Sequence, residues 1–222
     1  MTRESTESSA SFRSILDTVP IGWVDYVTSA DFNKEALAAA VQLGFSKDLV
    51  STLLDEPHTS YHDLDIELGI KVPSIQVRLF DVEAPPLLIL IRRNFVFTIH
   101  PLSVDRRFSR LRRYGETILK KIPADAPDTD RLSTLLARII DHNNDRNFEH
   151  LRQIEEQGDH LNEIMMDPFT PRAELGPEIY RMKHALLTYL NALWNTVDVL
   201  HTLRYGDAEL ITNDEKLIVK LG

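Results

Sequence analysis

The chain has 222 residues, 43% of them hydrophobic, enough to bury a sizeable core in one or two domains. A net charge of -9 argues against a dedicated nucleic-acid binder, whose footprint is a basic face. The absence of cysteine excludes disulfides, thiolate nucleophiles and thiolate metal sites, so any metal must be held by oxygen or imidazole.

Residues 1–11, rich in Ser, Thr and Glu, read as a disordered N-terminus joining the fold near Phe12. Residues 12–123 read as an α/β/α unit. Trp23 to Val27 is strand-like, and Asp31 to Leu43 reads as a helix with Asp31 as N-cap and Gly44 as its stop. A short helix follows from Lys47 to Leu54. Tyr61–Val72, Ser74–Val82, Leu87–Arg92 and Phe95–His100 are rich in Ile, Val, Leu and Phe and read as strands, with Arg93-Asn94 as a hairpin turn. In the second of these, Ile75, Val77 and Leu79 alternate with Gln76 and Arg78, as in a half-buried strand.

Asp105 to Lys121 reads as a helix carrying five arginines between Arg106 and Arg113, a solvated basic face with an anion site as the alternative. Residues 124–222 change period. Leu132, Leu136, Ile139, Asn143, Leu151, Ile154, Gly158, Leu161 and Met165 suggest one helix of about 35 residues, roughly 50 Å long. After a Pro-punctuated turn, Ile179, Met182, Leu186, Leu190, Leu193, Val197, Leu200 and Leu203 predict its antiparallel partner, with the Met residues and Trp194 as packing positions in the seam. Asp214 to Gly222 reads as the start of a further segment. The fold class is therefore α/β (α+β), a mixed β-sheet sandwiched by helices and followed by a long antiparallel helical hairpin.

Chemistry concentrates in the first arm of that hairpin. Asp141, Asp145 and Glu149, then Glu155, Asp159, Glu163 and Asp167, recur every fourth residue, and with Glu156 they make eight acids against Arg146 and Arg152. Like charges at this spacing share a helix face and repel unless something positive faces them. Solvated cations, a bound metal, a basic protein partner and a plain solubilising face all fit. The chain has no phosphate loop, nucleophile elbow or HExxH motif, and a ferritin-like site would need Glu where Asn147 and Gln157 stand, so the sequence does not read as an enzyme. Its longest strongly apolar run, Leu87 to Ile91, is far short of the ~20 residues that span a bilayer.

The collinear series of Gly22–Tyr26, Leu53–His58, Leu88–His100, Leu132–Asp141, Ile154–Glu163 and the helix through Trp194, Asp198, Val199 and Leu200 resembles the cytosolic part of the CorA family of divalent-cation channels. The resemblance covers residues 20 to about 220. It implies a cation-sensing regulatory region at the cytoplasmic face of the cell membrane, in a homopentamer gated by Mg²⁺, with Co²⁺ or Zn²⁺ as other cations. In that family the region continues into a stalk helix, two membrane spans and a Gly-Met-Asn loop, so membrane attachment would come through a C-terminal region outside these residues. Glu155, Asp159 and Glu163, with Asp55 and Glu56 as a second set, are the implied cation ligands; Glu156 also lies where the family is acidic. The family's acidic pair in the second helix falls at Ser51 and Thr52 here. The alternative function is a stand-alone scaffold whose acidic hairpin binds a protein partner.

Overall fold

A computed structural model describes residues 11–16, 21–57, 60–123, 125–205 and 208–212; the predicted tail segment Asp214–Gly222 lies outside them, as do residues 1–10 of the N-terminal stretch. The chain runs β1 (Ser11–Leu16), β2 (Gly22–Thr28), α1 (Phe32–Gln42), α2 (Lys47–Asp55), β3 (Ser60–Asp63), β4 (Glu67–Pro73), β5 (Gln76–Arg78), β6 (Asp81–Glu83), β7 (Pro86–Arg92), β8 (Phe95–Pro101), α3 (Asp105–Leu119), α4 (Asp128–Asn144), α5 (Asn147–Met166) and α6 (Arg172–Tyr205). Six strands form one mixed sheet in the order β1-β2-β8-β7-β4-β3, in which β2 and β8 run parallel and every other pair is antiparallel. β5 and β6 form a separate two-stranded ribbon.

Strand side chains alternate between faces, and both faces of the sheet are covered. Leu87, Ile89 and Ile91 of β7 join Trp23, Leu68, Ile70 and Val96 under α3 and α4. Leu88 and Leu90, with Phe97 and Ile99, meet Ala36, Ala40, Leu49 and Leu53 of α1 and α2 on the other side. This double burial is why β7 reads as an unbroken apolar run rather than an alternating one.

The predicted caps of α1 are present. Asp31 Oδ1 accepts from the Lys34 N–H at 3.1 Å. At the other end Gly44 adopts φ 85°, while Phe45 N–H reaches Ala40 O at 3.0 Å and Gly44 N–H reaches Val41 O at 2.9 Å. That pair of bonds is a Schellman motif, and it needs the left-handed residue that glycine supplies. α2 is held at both ends by the strand beneath it. Glu67 Oε2 accepts from Ser46 N–H at 2.9 Å at the helix start, and Lys71 Nζ donates to Glu56 O at its end. An anion at the N-terminus and a cation at the C-terminus both oppose the helix dipole.

Three expectations need correction. Tyr61–Val72 and Ser74–Val82 are hairpins rather than single strands: Asp65 and Leu79 sit at φ 62° and 56°, reversing the chain within each segment. Leu79 is therefore an exposed turn residue and not part of an inward stripe. The 35-residue helix divides at Asp145-Arg146. α4 lies on the sheet, burying Leu132, Leu135, Leu136 and Ile139 beside Leu68 and Ile89, and only α5 forms the first arm of the hairpin.

In that hairpin Ile154 packs with Tyr189 and Ala192, the Tyr189 hydroxyl donates to Asn147 O, and a Cβ on Gly158 would lie 2.8 Å from Met182 Cε. Later positions on α5 meet earlier ones on α6, so the arms are antiparallel. α6 continues past α5 and buries Val199 and Leu203 in the core shared with α4. Trp194 stands outside the seam with 64% of its surface exposed, contrary to its expected packing role, and Leu187, Leu190 and Val197 beside it are exposed too. Met182 does pack in the seam, whereas Met165 and Met166, at the end of α5 beside the turn, are exposed and do not. Among the described residues no helix is long and apolar enough to cross a membrane.

Candidate functional site

The acidic stripe survives on α5 alone. Asp141 belongs to α4, where it faces Arg138 at 3.6 Å, and Asp145 lies in the turn 3.3 Å from His142 Nδ1. Asp167 is the C-cap of α5 and accepts from Phe169 N–H and the Thr170 hydroxyl, both at 3.1 Å, so it closes the hairpin turn instead of extending the stripe.

Along α5, His150, Ile154 and Leu161 are buried, whereas Glu155, Glu156, Asp159 and Glu163 are exposed. With 100° between successive residues, Glu155, Asp159 and Glu163 point away from the packed face. Glu156 is 3.4 Å from Arg152 Nε, and Glu163, 81% exposed, is 3.8 Å from His160 Nδ1. Glu155 and Asp159 have no cationic partner among the described residues. Each step of four residues advances ~6 Å along the axis. Two neighbours at that spacing can share one ion, but all three acids, spread over ~12 Å, cannot converge on it, so a full coordination shell needs water or ligands from another molecule.

Asp55 and Glu56 lie at the end of α2, both exposed, with Glu56 on the rim of a cavity of about 500 Å³ that also holds Lys71, Asn191 and Asn195. Burial pushes the Lys71 ammonium below its usual pKa, while the charges of Glu56 and Asp55 oppose that shift. These two acids thus already face a cation, unlike Glu155 and Asp159. Neither set brings three ligand atoms together within 4.8 Å.

One group among the described residues does: Asp25, His100 and Asp105. β2 and β8 pair Asp25 with Thr98 and Val27 with His100, which turns Asp25, Thr98 and His100 toward α3. Thr98 Oγ1 donates to Asp25 Oδ1 at 2.6 Å and accepts from Trp23 Nε1 at 3.1 Å. His100 Nε2 is 3.3 Å from the Asp25 carboxylate, and its ring stacks on Phe108.

Arg112 then donates to Asp25 Oδ2 and meets Asp105 Oδ1, each at 2.8 Å. The guanidinium occupies the place where a metal would balance these carboxylates, and Asp25 and His100 are fully buried. Burial alone would raise the Asp25 pKa; hydrogen bonds from His100 and Thr98 and the charges of His100 and Arg112 hold it below its ordinary value. This is a closed structural network. The sequence reading overlooked it, although an aspartate inside an otherwise apolar strand facing an arginine-rich helix is the pattern that announces one.

A family model described as CorA-like Mg²⁺ transporter protein matches residues 21–220. Comparison with curated proteins gave no match. Among solved structures, the soluble domain of CorA from Methanocaldococcus jannaschii is 19% identical with a TM-score of 0.61, over 93% of this chain and 86% of that one. The complete CorA magnesium transporter from the same organism is 17% identical with a TM-score of 0.66, over 93% of this chain and 68% of that one. The cytoplasmic domain of ZntB from Vibrio parahaemolyticus is 18% identical with a TM-score of 0.62, over 91% and 77%. At such identities the structural likeness speaks for the fold; the family model, spanning nearly the whole chain, shows that the chain belongs to the CorA family.

Proposed function

We propose that this chain is the cation-responsive regulatory region of a divalent-cation transporter, working at the cytoplasmic face of the membrane as part of a homo-oligomer, a pentamer in the full-length protein. Mg²⁺ is the regulatory ion, with Co²⁺ or Zn²⁺ as other candidates. The observation that carries the reading is the outward ladder of Glu155, Asp159 and Glu163, two of whose carboxylates lack a cationic partner among the described residues, on a hairpin whose other arm exposes Leu187, Leu190, Trp194 and Val197. Apolar residues recurring at three- and four-residue spacing form a stripe that a neighbouring helix can cover.

Bringing copies together would crowd their α5 carboxylates, and a divalent ion between them would offset the repulsion. Occupancy would then favour the packed arrangement through its higher affinity for that state, as any regulatory ligand must. Asp55 and Glu56 form a second, weaker set, because Lys71 competes for their charge.

The test is Mg²⁺ titration of the 222-residue chain by calorimetry and sedimentation velocity, beside the Asp159→Asn/Glu163→Gln double variant. The expected result is heat of binding and cation-dependent association in the native chain, both weakened in the variant. Equal responses from the two proteins would remove these carboxylates from the sensor.

A further inference from the structure

α3 carries five arginines, and they do not share one environment. Arg112 is taken up by Asp25 and Asp105. Arg106, Arg107 and Arg110 instead line a cavity of about 520 Å³. Arg78 of the β5–β6 ribbon closes one side, and the corner between α4 and α5 supplies Arg146, His142 and His150. Among the described lining residues the only carboxylate is Asp145, which already faces His142 at 3.3 Å. Five guanidinium groups against one carboxylate is a steep positive concentration in a chain of net charge -9.

The walls are built, not draped. Arg107 donates through Nη1 to Asn143 O at 2.9 Å and through Nη2 to Ile75 O at 2.5 Å, fixing α3 to the corner and the ribbon. Asn143 in turn accepts from Ser74 Oγ at 2.6 Å and donates to Pro73 O at 2.8 Å. Arg78, Arg106, Arg110 and Arg146 have no carboxylate partner among the described residues. His150 is only 6% exposed, and its Nδ1 has no hydrogen-bond partner among the described residues. Buried polar atoms in native folds are nearly always satisfied, so an orphan at the wall of a cavity marks a place where a ligand supplies the missing bond. Burial first, then the charge of Arg107, pushes the His150 imidazole below its usual pKa.

We propose that this cavity binds the phosphate chain of a small polyanion, a di- or triphosphate. Convergent arginine forks match phosphate oxygens in geometry as well as charge. Among the described lining residues there is no Phe, Tyr or Trp, so no large ring there would hold a base; of the imidazoles, His142 is engaged with Arg107 O and Asp145, and His150 is nearly fully buried. Recognition is of the phosphates, whatever carries them.

The experiment titrates the 222-residue chain with inorganic pyrophosphate and with ATP at constant ionic strength and with EDTA present, read by calorimetry and thermal melting. The comparison is an Arg106→Gln/Arg110→Gln double variant, both positions being exposed and free of structural hydrogen bonds from their side chains, with Arg138→Gln on α4 as the control. Pyrophosphate should bind and raise the melting temperature. The double variant should bind it roughly tenfold or more weakly, since charge-assisted hydrogen bonds are each worth that much. The control should bind as the native chain does. ATP matching pyrophosphate identifies the bare phosphate chain as the ligand, and tighter ATP binding identifies a nucleotide carrier. No heat and no melting shift with either ligand at millimolar concentration would overturn the proposal, and so would equal binding by the double variant.

Discussion

The two sides of α3 show what an arginine does when it has a carboxylate to meet and when it does not. Under one side, Arg112 reaches two carboxylates and a dry network of Asp25, Thr98, His100 and Trp23 closes around it. On the other, Arg106, Arg107 and Arg110 open onto a cavity where carbonyl oxygens, rather than carboxylates, receive the one guanidinium that is tied down. Same residue type and same helix give a closed structural core in one direction and an unsatisfied positive surface in the other. The difference is set by the strands: β2 and β8 place acid beneath Arg112, whereas the β5–β6 ribbon adds a further arginine, Arg78.

If that contrast is right, the largest single-residue effect lies in the closed network. Asp25→Asn leaves Arg112 and His100 facing an uncharged amide in a buried site, and breaking a buried pair this way costs about 3–5 kcal/mol. Urea denaturation should show it as a large fall in midpoint, while Arg106→Gln and Arg110→Gln stay within about 0.5 kcal/mol of the native chain. Equal losses on both sides of α3 would erase the distinction. The network also sets an acid limit. Because the Asp25 pKa is lowered from 3.8 on folding, its contribution is fully present above that value and is lost as pH falls below it, through the folded pKa. The native chain should therefore lose stability below pH 3.8 more steeply than the Asn variant, measured by denaturation across that range.

An intermediate effect tests whether the open side is built. Asn143→Ala strips the buried contacts to Ser74 Oγ and Pro73 O and leaves them without a partner, a cost of about 1–3 kcal/mol. It should also weaken pyrophosphate binding, because the segment leading into the ribbon would lose its side-chain tie to the corner and be held there by Arg107 alone. Destabilisation with unchanged binding would mean that the cavity wall does not depend on this residue.

Strands β2, β7 and β8, the α1 caps and the acidic face of α5 were legible because each rests on a local rule: double burial gives an apolar run, a Schellman stop needs Gly44, and outward residues on a helix tolerate charge. What escaped was decided by partners far away in sequence. The apolar period of α4 continues into α5, so nothing in the spacing reveals that one packs on the sheet and the other on α6. Asp65 and Leu79 reverse their strands at positive φ, and Leu79, being neither Gly nor Asn, gives no warning. The arginine cavity is assembled from the ribbon, α3 and the α4–α5 corner, segments up to 74 residues apart, from Gln76 to His150. Only the α3 arginines hinted at it.

The smallest effect concerns the stripe on α5, the negative counterpart of the arginine cavity. Asp159 lies four residues from both Glu155 and Glu163, so in the absence of divalent cations it takes part in two unscreened like-charge pairs, besides the one with Glu156, whose charge Arg152 offsets. Each such pair destabilises a helix by roughly 0.2–0.5 kcal/mol at low salt. Asp159→Asn should therefore raise stability by a few tenths of a kcal/mol to about 1 kcal/mol in EDTA, a gain that fades as added NaCl screens the charges. If these carboxylates gather Mg²⁺ as proposed, the native chain gains the same relief when the ion is added, and the two proteins should then melt together. A variant that is stabilised equally with and without Mg²⁺ would show that the carboxylates repel one another but do not gather the cation, leaving the stripe a solubilising face.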